Sequence, residues 1–174
     1  TLLNERQFDN GAGRQSCPLI SVIGATNDVP EDEVAEAFFD RFLARLPVAP
    51  VSAAGFGELL RAGPHCGWAP PPPGSGLGEG DLLALTNDAR AVGVPAAVIA
   101  VLGELRPHLA AEQFYVSDRR WVKIVWLLRV AAASEGRAAV VLWDLLLLPW
   151  LTAFDAARQT EVADWLATRL GVRE

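Results

Sequence analysis

A run of prolines and glycines divides this chain into two parts. The run Pro70-Pro71-Pro72-Pro73-Gly74-Ser75-Gly76 lies within residues 63–80, whose composition differs from that of both flanks. Because proline lacks a backbone N–H and fixes φ, this segment cannot form a helix or a central strand. We expect an exposed linker, stiff at its proline end and flexible at its glycine end. A proline-rich docking motif for a partner is the alternative.

Before the linker, an apolar run stops abruptly at polar residues. Residues 19–23 are apolar apart from Ser21, and Thr26-Asn27-Asp28 follows them. A short β-branched run bounded by turn residues predicts a fully buried strand, as in a parallel sheet. Ligands of open α/β sheets bind beyond the carboxyl ends of such strands, which makes Asn27 a candidate site residue. The alternative is a simple turn, since Asn and Asp favour turns by themselves.

A helix is predicted next. Pro30-Glu31-Asp32-Glu33 places proline ahead of the first turn and acids where the helix dipole favours them. The helix should run to about Leu46, with Arg41 and Arg45 on one side of it. They are functional candidates, and the alternative is a solvated pair that balances nearby acids. The apolar stripe recurs every four residues at Val34, Phe38, Phe42 and Leu46.

Shorter elements complete the first part. Residues 1–8 read as the end of a helix, and residues 46–51 as an edge strand interrupted by prolines. Residues 52–61 predict a helix.

After the linker the apolar residues follow a helical period. Pro95 should open one helix, which Pro107 should end or kink. Ser117 is a good N-cap for the next helix, whose apolar stripe contains Trp121. Residues 140–151 predict a third helix.

Asp155 should cap a fourth helix, which Gly171 ends. We therefore expect a small helical bundle with tryptophans in its core.

Two adjacent arginines lie in the first turn of the helix after Ser117. Cations there oppose the helix dipole, at a cost of about 0.3–1 kcal/mol each when exposed. The guanidinium groups of Arg119 and Arg120 can bind phosphate oxygens through their planar forks. The alternative for each is an ion pair with an acid of a neighbouring element.

Charge and cysteine content exclude several classes of protein. The net charge of −6 argues against a broad nucleic-acid or anionic-membrane surface. Cys17 and Cys66 lack metal-ligand spacing and indicate reduced thiols, hence a cytoplasmic protein without a metal site of its own. Residues 140–151 are too few to span a bilayer. The chain has no methionine and begins inside an apparent helix, so we expect a piece of a longer protein.

Four motifs, in this order and at this spacing, resemble the MoxR family of AAA+ ATPases, most closely its RavA-like branch. The resemblance extends from near Thr1 to about Gly171 and is weak in the proline-rich middle. The motifs are Leu2-Leu3-Asn4-Glu5-Arg6-Gln7-Phe8, Ile23-Gly24-Ala25-Thr26-Asn27-Asp28-Val29-Pro30-Glu31, Phe39-Asp40-Arg41-Phe42-Leu43-Ala44-Arg45-Leu46 and Tyr115-Val116-Ser117-Asp118-Arg119-Arg120-Trp121.

The resemblance implies a fold of the class α/β plus α. Residues 1–62 would be the C-terminal remnant of a P-loop AAA+ α/β core, residues 63–81 a linker, and residues 82–174 an all-α lid. It also implies site residues, which are named here by their role. Asn27 would be sensor 1, which orients the attacking water, and Arg41 the arginine finger that reaches a neighbouring subunit's nucleotide. Arg119 would be sensor 2, with Arg120 as the second choice.

The resemblance further implies partners. ATP and Mg²⁺ would bind between subunits of a ring, expected to be a hexamer, and a protein with a von Willebrand factor A domain would be a partner. The activity would remodel a client protein like a chaperone, or insert a metal or cofactor into it.

The sequence contains no phosphate-binding loop GxxxxGK[ST], and no Asp-Glu pair follows an apolar run, where it would hold Mg²⁺. This chain alone should therefore not hydrolyse ATP. The alternative is a non-catalytic helical interaction or adaptor module derived from an AAA+ ATPase.

Overall fold

The computed structural model describes residues 5–9, 11, 13–27, 38–62 and 72–172. The chain forms two compact units, Thr1–Leu43 and Ala44–Glu174.

A short antiparallel hairpin is the regular structure of the first unit's early residues. Strand β1, Gln7–Asp9, pairs with β2, Arg14–Ser16, and Phe8 lies opposite Gln15. The Asp9 carboxylate accepts a hydrogen bond from the Gly11 N–H at 2.9 Å. Gly11 has φ of +82°, a conformation that glycine adopts without the strain a side chain would add. Glu5 is helical, but the hairpin shows that the predicted helix does not continue to Phe8, and residues 1–4 lie outside the described residues.

The buried strand predicted at residues 19–23 is also wrong. Residues 17–26 have no regular secondary structure, and Ile20 and Ile23 are 79% and 97% exposed. A strand is stable only when neighbours satisfy its backbone groups and cover its side chains. In the described part of the chain β1 and β2 pair only with each other, so nothing stabilises a strand there.

The helix predicted to run to Leu46 ends earlier. Phe38 and Phe39 are helical, a turn follows at Asp40 and Arg41, and residues 44–50 have no regular structure. The start of this helix, with Pro30 and Val34, lies outside the described residues. In a continued helix the Arg45 N–H would donate to the Arg41 carbonyl, but it donates to the Trp150 carbonyl at 2.9 Å.

Two further predictions are also wrong. Arg41 and Arg45 do not share a helical face, and residues 46–51 form no edge strand. Among the described residues of the predicted apolar stripe, Phe38 and Phe42 belong to an aromatic cluster, with their ring centroids 5.4 Å apart.

Helix α1, Ala53–Ala62, confirms the helix predicted at residues 52–61. Ser52 begins it, because its hydroxyl accepts a hydrogen bond from the Gly55 N–H at 3.2 Å. Of the linker predicted at residues 63–81, positions 63–71 lie outside the described residues. Residues 72–78 contain a turn and no helix or strand.

The rest of the second unit is helical. Its elements are α2, Glu79–Ala91; α3, Ala96–Ala111; α4, Asp118–Ser134; a 3-10 helix, Leu142–Leu147; α5, Leu148–Thr152; and α6, Ala156–Arg169.

Four of the predicted start and stop signals are confirmed. Pro95 precedes α3, the Ser117 hydroxyl accepts from the Arg120 N–H, and the Asp155 carboxylate accepts from the Arg158 N–H. Gly171 follows α6 with φ of +71°. Pro107 does not end α3, which continues to Ala111.

The single helix predicted over residues 140–151 is wrong. The segment is a 3-10 helix followed by the five-residue α5. Pro149 has no N–H to donate to a preceding turn, so a continuous α-helix cannot pass through it unbroken, whereas the first turn of a new helix tolerates it.

Among the described residues, aliphatic side chains and not tryptophans fill the core of the helical unit, Ala44–Glu174. Trp143 is 62% exposed, Trp126 and Trp150 are also exposed, and Trp121 and Trp165 are half-buried. An indole is large and carries an N–H that must be satisfied, so it is rarely fully buried. The largest fully buried residues are Leu105, Ile124, Leu128, Leu145, Leu148, Leu151 and Leu166. No helix of the described segments is long and apolar enough to cross a membrane.

An ion pair fixes the 3-10 helix to the end of α4. The Arg137 guanidinium donates two hydrogen bonds of 2.7 Å to the Asp144 carboxylate. This carboxylate also accepts from the Val141 N–H at 2.8 Å. The hydrogen bonds from Arg137 hold the pKa of Asp144 below its ordinary value.

Replacement of Asp144 by alanine should destabilise the helical unit. The variant loses three hydrogen bonds and leaves a half-buried guanidinium without this acceptor, so we expect a loss of about 1–3 kcal/mol in unfolding free energy. Urea denaturation at pH 7 measures it, with the exposed Asp88→Ala as the control. Equal midpoints for the two variants would contradict this role.

The stabilisation by Asp144 should depend on pH. Since its pKa is lower in the folded state, the stabilisation is present above the ordinary aspartate pKa of about 3.9 and is lost as pH falls through the folded pKa. The difference in stability between the wild type and Asp144→Ala should therefore shrink between pH 5 and pH 2, expected limits of about one to two pH units on either side of that value. A difference that stays constant in urea denaturation over this range would show that the carboxylate charge contributes nothing.

Candidate functional site

Arg119 and Arg120 occupy the first turn of α4 and point in different directions. Successive residues of a helix are about 100° apart, so neighbours can face solvent and core in turn. Arg119 is exposed, whereas Arg120 is only 3% exposed. Asp118, one residue earlier, is exposed and pairs with Arg106 of α3 at 2.9 Å. The exposed charge of this turn is therefore the guanidinium of Arg119, partly offset by the Asp118–Arg106 pair.

The buried guanidinium of Arg120 binds the carbonyl end of α5. Its Nε–H donates to the Leu151 carbonyl at 2.7 Å. The last four carbonyls of any helix lack partners within the helix, and a cation near them interacts favourably with the helix dipole. Arg120 therefore has a backbone carbonyl of α5 as a partner, and the alternative that one of the two arginines pairs with an acid stays a prediction. As a nucleotide ligand, Arg120 stays a prediction.

Two further donors complete this end of α5. The Ala153 N–H donates to the Pro149 carbonyl at 3.1 Å, and the Arg45 N–H donates to the Trp150 carbonyl at 2.9 Å. Three consecutive carbonyls of a five-residue helix thus receive hydrogen bonds from three different parts of the chain. We call these carbonyls of Pro149, Trp150 and Leu151 the α5 carbonyl row.

Arg45 has two more contacts with residues of the second unit, to which it belongs. Its carbonyl accepts a hydrogen bond from Nε2 of Gln159 in α6 at 3.0 Å, and Gln159 is 6% exposed. Its guanidinium carbon lies 3.5 Å from the centroid of the Phe154 ring, a cation–π contact. The sequence analysis missed Gln159, because a glutamine in an amphipathic helix carries no signal of a distant partner.

Asn27 and Arg41 are both exposed residues of the first unit. Asn27 lies in a bend, and Arg41 lies in the turn after Phe39, where its N–H donates to the Phe38 carbonyl at 3.1 Å. A Cβ atom added to Gly24 would lie 3.4 Å from the ring of Phe42. The backbone three residues before Asn27 therefore lies against the side chain that follows Arg41, which brings the two segments together.

The predicted site residues are thus divided between the units. Asn27 and Arg41 belong to Thr1–Leu43, and Arg119 and Arg120 belong to Ala44–Glu174. Among the described residues, no group of three or more His, Cys, Asp or Glu side chains could hold a metal ion.

A shallow groove lies between α3 and α4, beside the Arg106–Asp118 pair. Its volume is about 350 Å³. The half-buried Trp121 lines it, and the indole Nε1 of this residue is buried with no hydrogen-bond partner in the part of the chain that the structure describes. The other lining residues are Leu102, Gly103, Arg106, Asp118, Val122 and Val125. The groove is mainly apolar, and its charged lining residues are Arg106 and Asp118.

Comparison with known families divides the chain into two segments. Residues 1–76 match the family described as the MoxR domain in the MoxR-vWA-beta-propeller ternary systems. Residues 97–166 match the AAA lid domain. The first segment contains Asn27 and Arg41, and the second contains Arg119, Arg120 and the α5 carbonyl row.

Two uncharacterized proteins of Methanocaldococcus jannaschii are similar to this chain. MJ0079 is 30% identical over 149 residues, which cover 85% of this chain and 38% of that protein. MJ0812 is 29% identical over 138 residues, which cover 79% of this chain and 35% of that protein. The chain thus spans little more than a third of the length of these curated relatives.

The two family matches follow each other in the order that the four sequence motifs predict. With a MoxR domain segment followed by an AAA lid domain, the chain belongs to the MoxR family of AAA+ ATPases.

Proposed function

We propose that this chain supplies the water-orienting and charge-neutralising residues of a MoxR-type ATPase that works as a ring. The observation that carries the proposal is the exposure of Arg119 in a helical first turn, where the dipole disfavours a cation. Since the dipole opposes a cation there and folding does not require this charge in solvent, binding of an anion explains it best. The anion we propose is the phosphate chain of ATP, with Arg119 as sensor 2.

Asn27 and Arg41 complete the proposed site. Asn27 holds the attacking water as sensor 1, and Arg41 inserts its guanidinium into the nucleotide site of a neighbouring subunit. Both side chains are exposed, and the contact of Gly24 with Phe42 ties their segments together, which supports a shared function. Phosphoryl transfer needs little covalent chemistry from the protein, so positioned water and neutralised charge supply most of the rate.

The exposed guanidinium groups of Arg41 and Arg119 suit a polyphosphate, whereas no described carboxylate cluster suits Mg²⁺. Bound Mg²⁺ would neutralise charge on the β- and γ-phosphates. We propose that the elements that hold Mg²⁺ and cradle the phosphates belong to the complete protein and are supplied outside this sequence, which has no GxxxxGK[ST].

The wider assignment follows the family. We propose a RavA-like protein of the cytoplasm, assembled as a hexameric ring, with a core at residues 1–62, a linker at 63–81 and a lid at 82–174. Its partner carries a von Willebrand factor A domain, a proposal supported by the ternary system named for the matched family. Its client is remodelled, or receives a metal or cofactor.

One observation favours the alternative, a non-catalytic interaction module. An apolar ridge is exposed on the 3-10 helix and α5, and exposed patches of this kind often bind other proteins. Its members are Val141, Leu142, Trp143, Leu146, Leu147 and Trp150. An adaptor would use this ridge without turning over ATP, so ATP turnover by the complete protein distinguishes the two functions.

Replacement of Arg41 should abolish most ATP turnover by the complete protein. The complete protein here is the product of the whole reading frame that encodes this chain. We expect Arg41→Ala to lower kcat by about 10³-fold or more, as loss of an arginine finger does elsewhere. Asn27→Ala should lower kcat by about 10²-fold, because misplaced water costs positioning. The exposed Arg61→Ala of α1 is the charge-matched control. Normal turnover in Arg41→Ala, at concentrations where rings form, would remove the finger assignment.

Replacement of Arg119 and replacement of Arg120 should have different effects. Arg119→Ala should fold normally and raise KM for ATP by about tenfold, equal to one lost charge-assisted hydrogen bond of about 1.4 kcal/mol. Arg120→Ala leaves the Leu151 carbonyl buried without its donor and should lower the unfolding free energy by about 1–3 kcal/mol. Thermal unfolding and steady-state kinetics of both variants decide this. An unstable Arg119→Ala with a normal Arg120→Ala would reverse the assignment.

A further inference from the structure

We propose that Arg45 is a positioning residue for this ATPase, because it anchors the segment that follows Arg41 to the α5 carbonyl row. The inference rests on the proposed function and deepens it. Arg45 has no contact with the reacting atoms in this proposal. It acts through Arg41, which precedes it by four residues.

Three contacts from different directions hold Arg45. Its N–H donates to the Trp150 carbonyl, its carbonyl accepts from Gln159, and its guanidinium lies over Phe154. A residue in a segment without regular structure usually has backbone groups that face water. Both backbone groups of Arg45 are bonded instead to α5 and α6, so this position is fixed while residues 46–51 remain exposed.

The cation–π contact belongs to a continuous stack. The Phe154 ring lies 6.1 Å from the Phe114 ring, in an edge-to-face arrangement. The Arg158 guanidinium lies 4.5 Å from the Phe114 centroid, at the other end. The stack therefore has an arginine at each end, but only Arg45 belongs to the segment that follows Arg41.

The α5 carbonyl row accepts hydrogen bonds both from Arg45 and from Arg120, the neighbour of Arg119. Arg45 donates to the Trp150 carbonyl, and Arg120 donates to the adjacent Leu151 carbonyl. Arg120 is the neighbour of Arg119, and Arg45 follows Arg41. Four extended residues span at most about 14 Å, so a fixed Arg45 limits where Arg41 can lie.

The test is the kinetics of the complete protein with ATP. Two variants release the same segment from different sides: Arg45→Gln removes the cation over Phe154, and Gln159→Leu removes the donor to the Arg45 carbonyl. Both should lower kcat at least tenfold and change KM for ATP less than twofold, because the nucleotide still binds while Arg41 is misplaced. Arg45→Lys, which keeps a cation, should recover kcat to within threefold of wild type.

Arg158→Gln is the matched control, since it removes the cation from the other end of the stack and should leave kcat unchanged. Equal losses in Arg158→Gln and Arg45→Gln would assign the effect to general stability and overturn the inference. Wild-type kcat in both Arg45→Gln and Gln159→Leu, together with loss in Arg41→Ala, would overturn this inference alone. A wild type without turnover would overturn the proposed function itself.

Amide hydrogen exchange tests the anchor without catalysis. The Arg45 amide of the wild type should exchange at least a hundredfold more slowly than an unprotected amide, and Gln159→Leu should accelerate it. Exchange at the unprotected rate in the wild type would overturn the anchor, whatever the kinetics of the variants.

Discussion

The hydrogen bond from the buried Arg120 side chain to the Leu151 carbonyl joins the start of α4 to the end of α5 inside the helical unit. Helix α5 has only five residues, so almost all of its carbonyls lack partners within the helix. Its end lies inside the protein, where water cannot replace them. The chain satisfies three of these carbonyls with donors from residues 45, 120 and 153. One short helix therefore holds together parts of the chain that lie far apart in sequence.

The same contact explains why two adjacent arginines differ in exposure. Burial of Arg120 fixes the rotation of α4 about its axis, and this rotation leaves Arg119 in solvent. The charge of Arg120 is placed favourably at the C-terminal end of α5, which offsets its unfavourable position in the first turn of α4. Arg119 has no such compensation from a helix end. Its exposed charge is the part of the site that a phosphate ligand would explain.

The sequence predicted those features whose causes lie within a few residues. Ser117 and Asp155 cap their helices because each side chain reaches an N–H three residues later, and Pro95 and Gly171 mark helix ends for equally local reasons. The predictions that were wrong concern features whose causes lie far away in the sequence. The run at residues 19–23 has strand composition but no described neighbour to pair with. Arg45 left its predicted helix because Trp150, more than a hundred residues later, offers a carbonyl.

The candidate site shows the same division. The motif order was enough to find the family, and the two family matches confirmed it. The roles of Asn27, Arg41 and Arg119 remain predictions, because each depends on a ligand and on neighbouring subunits. No local pattern distinguishes Arg119 from Arg120, since both precede the same apolar stripe. Only the packing of α4 against α5 separates the exposed arginine from the buried one.

The most direct measurement is an experimental structure of the complete, assembled protein with a non-hydrolysable ATP analogue and Mg²⁺. We propose that Arg119 contacts the nucleotide while Arg120 stabilises the lid. We predict the Arg119 guanidinium within about 3 Å of a phosphate oxygen, with Arg120 still bonded to the Leu151 carbonyl. A structure in which Arg120 leaves that carbonyl to bind phosphate, or in which neither arginine approaches the nucleotide, would contradict it.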